Sequence, residues 1–237
     1  MSDIDYLWHR GELEDWELAL SRYWSFVKEE NRGLEKQMQE LDPSLVMNMN
    51  AVEWYRFLHD EYFRWKYTDA RYYKWTTKHL GKYLTNNALD ELDRIKAQLF
   101  GKAAYKKHIF DGRDIELGLK IGNQIHGLGI PGASGLLSLL FPRHFGTVDQ
   151  FVVKALCRVH DHPELEKVRR MYTKIEKSQS LSPRDGVVLV TLMRQKADEL
   201  NQRFSKDYFT PRLVDMVLWA CREDLCKKPA RKTRCGS

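Results

Sequence analysis

The stretch Ile121–Leu156, IGNQIHGLGIPGASGLLSLLFPRHFGTVDQFVVKAL, decides how the rest of the chain is read. It predicts a helix ending near Asn123, a tight turn over Ile125-His126-Gly127-Leu128-Gly129, and a second helix from about Pro131 to Phe141. Two glycines at i and i+2 allow positive φ and the close approach of another backbone. The N–H groups of Gly129 and Ile130 then stand at the start of a helix, where unsatisfied donors and the helix dipole favour a phosphate. A nucleotide-binding loop needs a preceding strand and further glycines, whereas residues 114–123 read as helix. Taken alone, the pattern also suits a glycine-rich turn between two packed helices.

Asp149 follows Phe145-Gly146-Thr147-Val148 and precedes the apolar run from Phe151 to Leu156. Aspartate is a favoured helix N-cap, which is a sufficient reason for it to be there. The spacing adds a second reason. The segment resembles the helix-hairpin-helix superfamily of DNA glycosylases, in which a Leu-Pro-Gly-Val-Gly-type hairpin is followed, after a helix and a loop, by a catalytic aspartate at the mouth of the next helix. Residues 125–129 take the hairpin place, and Val148-Asp149 takes that of the valine-aspartate pair without a gap. The resemblance covers about 35 of the 237 residues.

That resemblance implies an enzyme of the monofunctional type: Asp149 as the catalytic carboxylate, Ile125, His126, Gly127, Leu128, Gly129, Ile130 and Gly132 as the DNA contact, and double-stranded DNA carrying a damaged or modified base as the partner. It also implies a monovalent cation, K+ or Na+, on the carbonyls of Asn123, Ile125 and Leu128, with no other cofactor required. Two departures narrow the type. Pro131 stands where bifunctional members carry a Schiff-base lysine, so lyase chemistry by that route has no amine. The four C-terminal cysteines of iron-sulfur members are also absent.

Nothing in the sequence reads as a strand, so the expected fold is all-α, roughly ten helices in two subdomains: residues 1–110, residues 111–226, and a disordered basic tail over 227–237. Trp8, Trp16 and Trp24, spaced by eight, predict one long helix from about Asp5 to Glu30. Gly33 permits a break, and Asp42-Pro43 marks the end of a short helix. Further starts are marked by Asn50 with Glu53, Asn87, Asp161 with Pro163, Ser182-Pro183 with Asp185, and Thr210-Pro211. From Trp54 to Trp75 the chain is strongly aromatic and interleaved with Arg56, Arg64, Lys66, Arg71 and Lys74. Trp54, Phe57 and Leu58 are assigned to the core. Helical periodicity loosens at Trp65, Tyr67, Tyr72 and Tyr73, which become candidates for a base pocket or wedge.

The formal net charge is +6 and unevenly spread. Residues 1–50 hold eleven acidic and five basic side chains, residues 51–120 ten and fourteen, and the tail from Lys227 five basic groups and no acid. A polyanion would therefore approach the middle and C-terminal parts. Four cysteines, Cys157, Cys221, Cys226 and Cys235, are too few and too clustered for a secreted disulfide scaffold, and no apolar run approaches a membrane span. The expectation is a soluble, cytoplasmic protein without an obligate protein partner. Beside the glycosylase, two rivals remain at this point: a noncatalytic helix-hairpin-helix DNA-binding module, and a helical scaffold that docks proteins.

Overall fold

The helix that begins at Ile130 is apolar on every side, which fits a central element and no other. Ile130 and all residues from Gly132 to Leu140 are buried in the computed structural model, which describes residues 4–101 and 113–221. Among the described residues every element is helical, and the fold is all-α. No helix among them is long and apolar enough to cross a membrane. In chain order the elements are α1 (Ile4–Arg10), α2 (Leu13–Phe26), α3 (Glu29–Gln39), α4 (Pro43–Asn48), α5 (Ala51–Arg56), a π-helical turn (Phe57–Tyr62) and α6 (Phe63–Lys66). They continue with α7 (Ala70–Leu80), α8 (Lys82–Thr85), α9 (Leu89–Gly101), α10 (Arg113–Gly122) and the central α11 (Ile130–Leu140). The last four are α12 (Gln150–Leu156), α13 (Leu165–Glu176), α14 (Pro183–Phe204) and α15 (Pro211–Ala220).

Small residues let neighbours close on α11. A Cβ at Gly122 of α10 would lie 3.0 Å from that of Ala133, and one at Gly135 would lie 2.9 Å from the Tyr62 hydroxyl. The Tyr62 hydroxyl donates to the carbonyl of Gly132. Behind α10 lies α14, joined to it by the buried Arg194–Asp114 ion pair at 3.1 Å. Helix α2 packs along α15, and Lys196 of α14 donates to the Trp8 carbonyl at 2.7 Å, so one apolar cluster runs from Ile4 to Leu218. The expected boundary at residue 110 lies outside the described residues, as do the basic tail, Cys226 and Cys235.

The helix starts at Asn50, Ser182 and Thr210 hold, each side chain accepting first-turn N–H groups of α5, α14 and α15. Other expectations give way. The single helix from Asp5 to Glu30 is divided into α1, α2 and the start of α3. Gly11 ends α1 by donating its N–H to the Leu7 carbonyl at 3.1 Å, and Asp15 accepts the N–H of Glu12 at 3.0 Å to open α2. Gly33 makes no break; it sits inside α3. Asp161 does not cap α13, because it adopts φ 59° and the helix starts beyond it with Glu164 at the cap position. Such interruptions make the helical segments shorter and more numerous than the roughly ten expected.

Candidate functional site

Asp149 caps α12 from extended backbone, its Oδ1 accepting the N–H of Phe151 at 2.8 Å and of Val152 at 3.1 Å. Both bonds use the same oxygen. Oδ2 accepts no hydrogen bond among the described residues, and Asp149 lines a pocket of about 450 Å3. The two residues before it are pinned. Thr147 donates its N–H to Asp215 of α15 at 3.0 Å, and Val148 donates to Ser134 of α11 at 2.8 Å. The carboxylate is therefore held by three helices.

Trp65 and Lys66 at the end of α6 also line the pocket, as do the aromatic side chains of Tyr23, Phe151 and Trp219. Its polar floor is a buried network centred on Arg212. The guanidinium meets Asp215 at 2.7 Å and Glu35 at 3.4 Å, and Glu35 also accepts from the Tyr23 hydroxyl at 2.7 Å and the Trp65 indole at 2.5 Å. Burial works against the Arg212 cation, but Asp215, Tyr23 and Glu35 outweigh it and hold the pKa up. Burial also pushes the Tyr23 hydroxyl up. Arg212 thus keeps its charge and Tyr23 its proton beside the cavity.

Asp149 is perturbed in a way that bears on chemistry. Burial pushes its pKa up, Lys66 opposes the shift, and Asp215 adds to it. Lys66 moves the other way: burial lowers its pKa, while Asp149 and Asp215 draw it back. Two opposite charges share one desolvated pocket without forming a direct ion pair among the described residues. A carboxylate with a raised pKa is a better base than an exposed one.

The turn that reaches α11 lies next to this pocket. Gly127 has φ +93°, and a Cβ there would stand 2.5 Å from the Thr76 carbonyl, so this glycine is required twice over. Gly129 differs from expectation: its φ is −91° and an added Cβ would meet only Pro131, at 3.8 Å. It serves as N-cap residue of α11, with no side chain to satisfy the first-turn donors. Ile125, Leu128 and Ile130 bury their side chains and can offer only backbone, whereas His126 is exposed with its ring 4.6 Å from that of Tyr83. The Ile125 carbonyl already accepts the Leu128 N–H at 3.0 Å; the carbonyls of Asn123 and Leu128 accept no hydrogen bond among the described residues.

A second hollow, about 600 Å3, opens between this turn and α7, lined by Tyr67, Tyr72, Gly127, Gly129 and Gly132. Pro131 lines both hollows, so the bare start of α11 sits between them. The four aromatic candidates therefore separate. Trp65 joins Asp149, Tyr67 and Tyr72 flank the turn, and Tyr73 lines neither hollow, its hydroxyl donating to the His59 carbonyl at 3.4 Å. Sequence reasoning missed Lys66, Glu35, Arg212 and Asp215 as site residues. They come from three elements far apart in the chain, and the one local signal was the i, i+3 spacing of Arg212 and Asp215.

No protein family, curated protein or solved structure with which the chain was compared matches it. The functional reading therefore rests on the site.

Proposed function

We propose that this chain is a monofunctional DNA glycosylase: it binds double-stranded DNA, turns out a damaged or modified base and hydrolyses its N-glycosidic bond, leaving an abasic site. The observation that carries the reading is Asp149, whose Oδ1 caps α12 while Oδ2 has no hydrogen bond among the described residues, in an aromatic-walled pocket beside an uncapped helix start. Capping and catalysis fall to different oxygens of one carboxylate, so the structural role does not compete with the chemical one.

The first-turn donors of α11 and the turn before it take a backbone phosphate. Asn123, Ile125 and Leu128 would hold a K+ or Na+ ion that adds positive charge beneath that phosphate. Extrusion of the base costs a few kcal/mol, least for a mispaired or damaged one. The extruded base stacks against Trp65, Phe151 or Trp219. As the glycosidic bond breaks, positive charge grows on the deoxyribose, and the Asp149 carboxylate opposes it and orients or deprotonates the attacking water.

Duplexes bearing a series of alkylated, oxidised and hypermodified bases are incubated with the protein and assayed for released base and alkali-labile sites. Release from at least one duplex, lost in Asp149→Asn, is the expected result. Tight, salt-sensitive binding with no release from any duplex would favour the noncatalytic DNA-binding module. Absence of DNA binding would remove both readings.

A further inference from the structure

The hollow between α7 and the turn at residues 125–129 has no part in the proposed hydrolysis. Its volume, about 600 Å3, falls within the range of about 300–1,000 Å3 usual for ligand sites. Arg71, Tyr72 and Trp75 of α7 line it together with Gly127, Gly129 and Pro131. One side of α7 is fixed. Thr76 and Leu80 are its buried residues, and the Thr76 carbonyl would lie 2.5 Å from a Cβ on Gly127. Tyr72 and Trp75 are left 63% and 57% exposed, and Trp75 is the one exposed tryptophan of the chain's seven. Among the described residues the Trp75 ring meets only His79 of the same helix, with centroids 4.3 Å apart. Large apolar rings left side by side in water mark an interaction site.

The surrounding charge says which partner fits. From Ala70 to Leu89 the chain carries Arg71, Lys74, Lys78 and Lys82 and no acid. Lys74 and Lys78 are exposed and make no ion pair among the described residues. The Arg71 side chain is 90% exposed and meets Asp69 at 3.4 Å, a surface pair weak enough for a phosphate to displace. Exposed flat rings beside cations are the means by which proteins hold single-stranded nucleic acid, the rings stacking on bases and the cations following the backbone. A paired duplex keeps its base faces inside the stack and offers these rings nothing. We propose that the α7 hollow is a stacking site for an unpaired nucleotide, so that the chain binds single-stranded DNA adjoining the duplex it grips. Tyr72 and Trp75 take the base, and Arg71, Lys74 and Lys78 take the phosphates. The inference rests on the DNA-binding part of the reading above and uses neither Asp149 nor its pocket.

The test uses the full chain and three fluorescent DNAs built on one undamaged duplex: blunt, with a single-stranded thymidylate tail, and with a tail of the same length made of abasic nucleotides. The last keeps the phosphates and removes the bases. The wild type should bind the thymidylate-tailed duplex about tenfold or more tighter than the abasic-tailed one, since one stacked base is worth that much. Tyr72→Ala combined with Trp75→Ala should remove this difference and leave binding of the blunt duplex within about twofold, and Trp75→Phe should keep most of it. Both side chains are exposed, and cooperative melting checks the fold; the comparison of the two tails on the wild type decides the matter even if the double variant does not fold. Equal affinity for the two tails would mean that charge alone acts, and would overturn the inference. A thymidylate preference unchanged in the folded double variant would overturn it too. So would wild-type self-association in sedimentation that Trp75→Ala abolishes while tail binding is unchanged, because a second copy then covers the rings. Each of these outcomes, given binding of the blunt duplex, leaves the glycosylase reading standing, whereas no binding of any of the three DNAs would overturn both. A thymidylate preference from a chain that releases no base supports the inference and removes the glycosylase.

Discussion

The segment from α10 to α12 and the stretch from α5 to α7 both supply residues to the pocket, and they hold their side chains by different means. In the first, local chemistry does the work: a positive-φ glycine, an uncapped helix start and an aspartate cap follow one another along the chain. In the second, position depends on partners elsewhere. Trp65 is fixed by Glu35 of α3, Lys66 by the space at Gly135, and Tyr62 by the Gly132 carbonyl. The first wall tolerates substitution wherever local geometry is kept, whereas the second is sensitive to residues distant in sequence.

The largest effect should come from the floor that joins the walls. Arg212→Ala leaves Glu35 and Asp215 buried and without their cation, and breaking such a pair costs about 3–5 kcal/mol. Chemical denaturation should show that loss, and the indole of Trp65 should become more exposed to a fluorescence quencher. A loss below about 1 kcal/mol would mean that the floor is hydrated and works like a surface network.

Next comes Asp149→Asn. Asparagine caps helices about as well as aspartate, so the first wall should stand. Base release should fall by about 10²-fold or more, corresponding to ~3 kcal/mol of transition-state stabilisation, because the amide has no charge to set against the sugar cation. Single-turnover assays on a cleavable duplex read this directly. Wild-type rates would make Asp149 a cap and nothing more.

These two cases also show what was legible in the sequence. The cap at Asp149, the turn at residues 125–129 and the starts at Asn50, Ser182 and Thr210 are set by residues within a few positions of one another, and each could be read from the chain. The α5 to α7 stretch resisted for a physical reason. The π-helical turn at Phe57–Tyr62 adds a residue to the local turn, and such turns are frequent at functional sites. Residues beyond it are rotated away from the α-helical series, which is why periodicity loosened at Trp65. Arg212 and Glu35 lie 177 positions apart, and no local pattern announces their meeting.

The turn itself can be used to sharpen the contrast. Gly127→Ala must place a side chain at φ +93° and 2.5 Å from the Thr76 carbonyl, and should cost about 2 kcal/mol of stability. Gly129→Ala meets only Pro131 and should change stability by less than about 0.5 kcal/mol. It should still weaken binding to all DNA sequences alike, since the added methyl stands at the uncapped start of α11. Equal destabilisation by the two would show that the two glycines are held alike.

The smallest expected effect is a displacement along the pH axis. Burial and Asp215 raise the Asp149 pKa above its ordinary 3.8, and Lys66 holds it partly down. Only the carboxylate can oppose the sugar cation, so base release should fall as pH drops through the folded-state pKa, and the acid limb of the rate profile should lie above 3.8. Stability runs in the opposite sense. A carboxyl whose folded pKa is raised binds its proton more tightly in the folded state, so its contribution is fully present below the unfolded pKa and is lost as pH rises through the folded one. Asp149→Asn should therefore gain stability relative to wild type as pH rises over that same window. Lys66→Gln removes the one group across the pocket that favours the charged form and leaves burial and Asp215 in place, so both limbs should move to higher pH. Unmoved limbs, or limbs displaced to lower pH, would mean that the α6 wall does not act on Asp149 and that the two sides of the pocket are electrostatically independent.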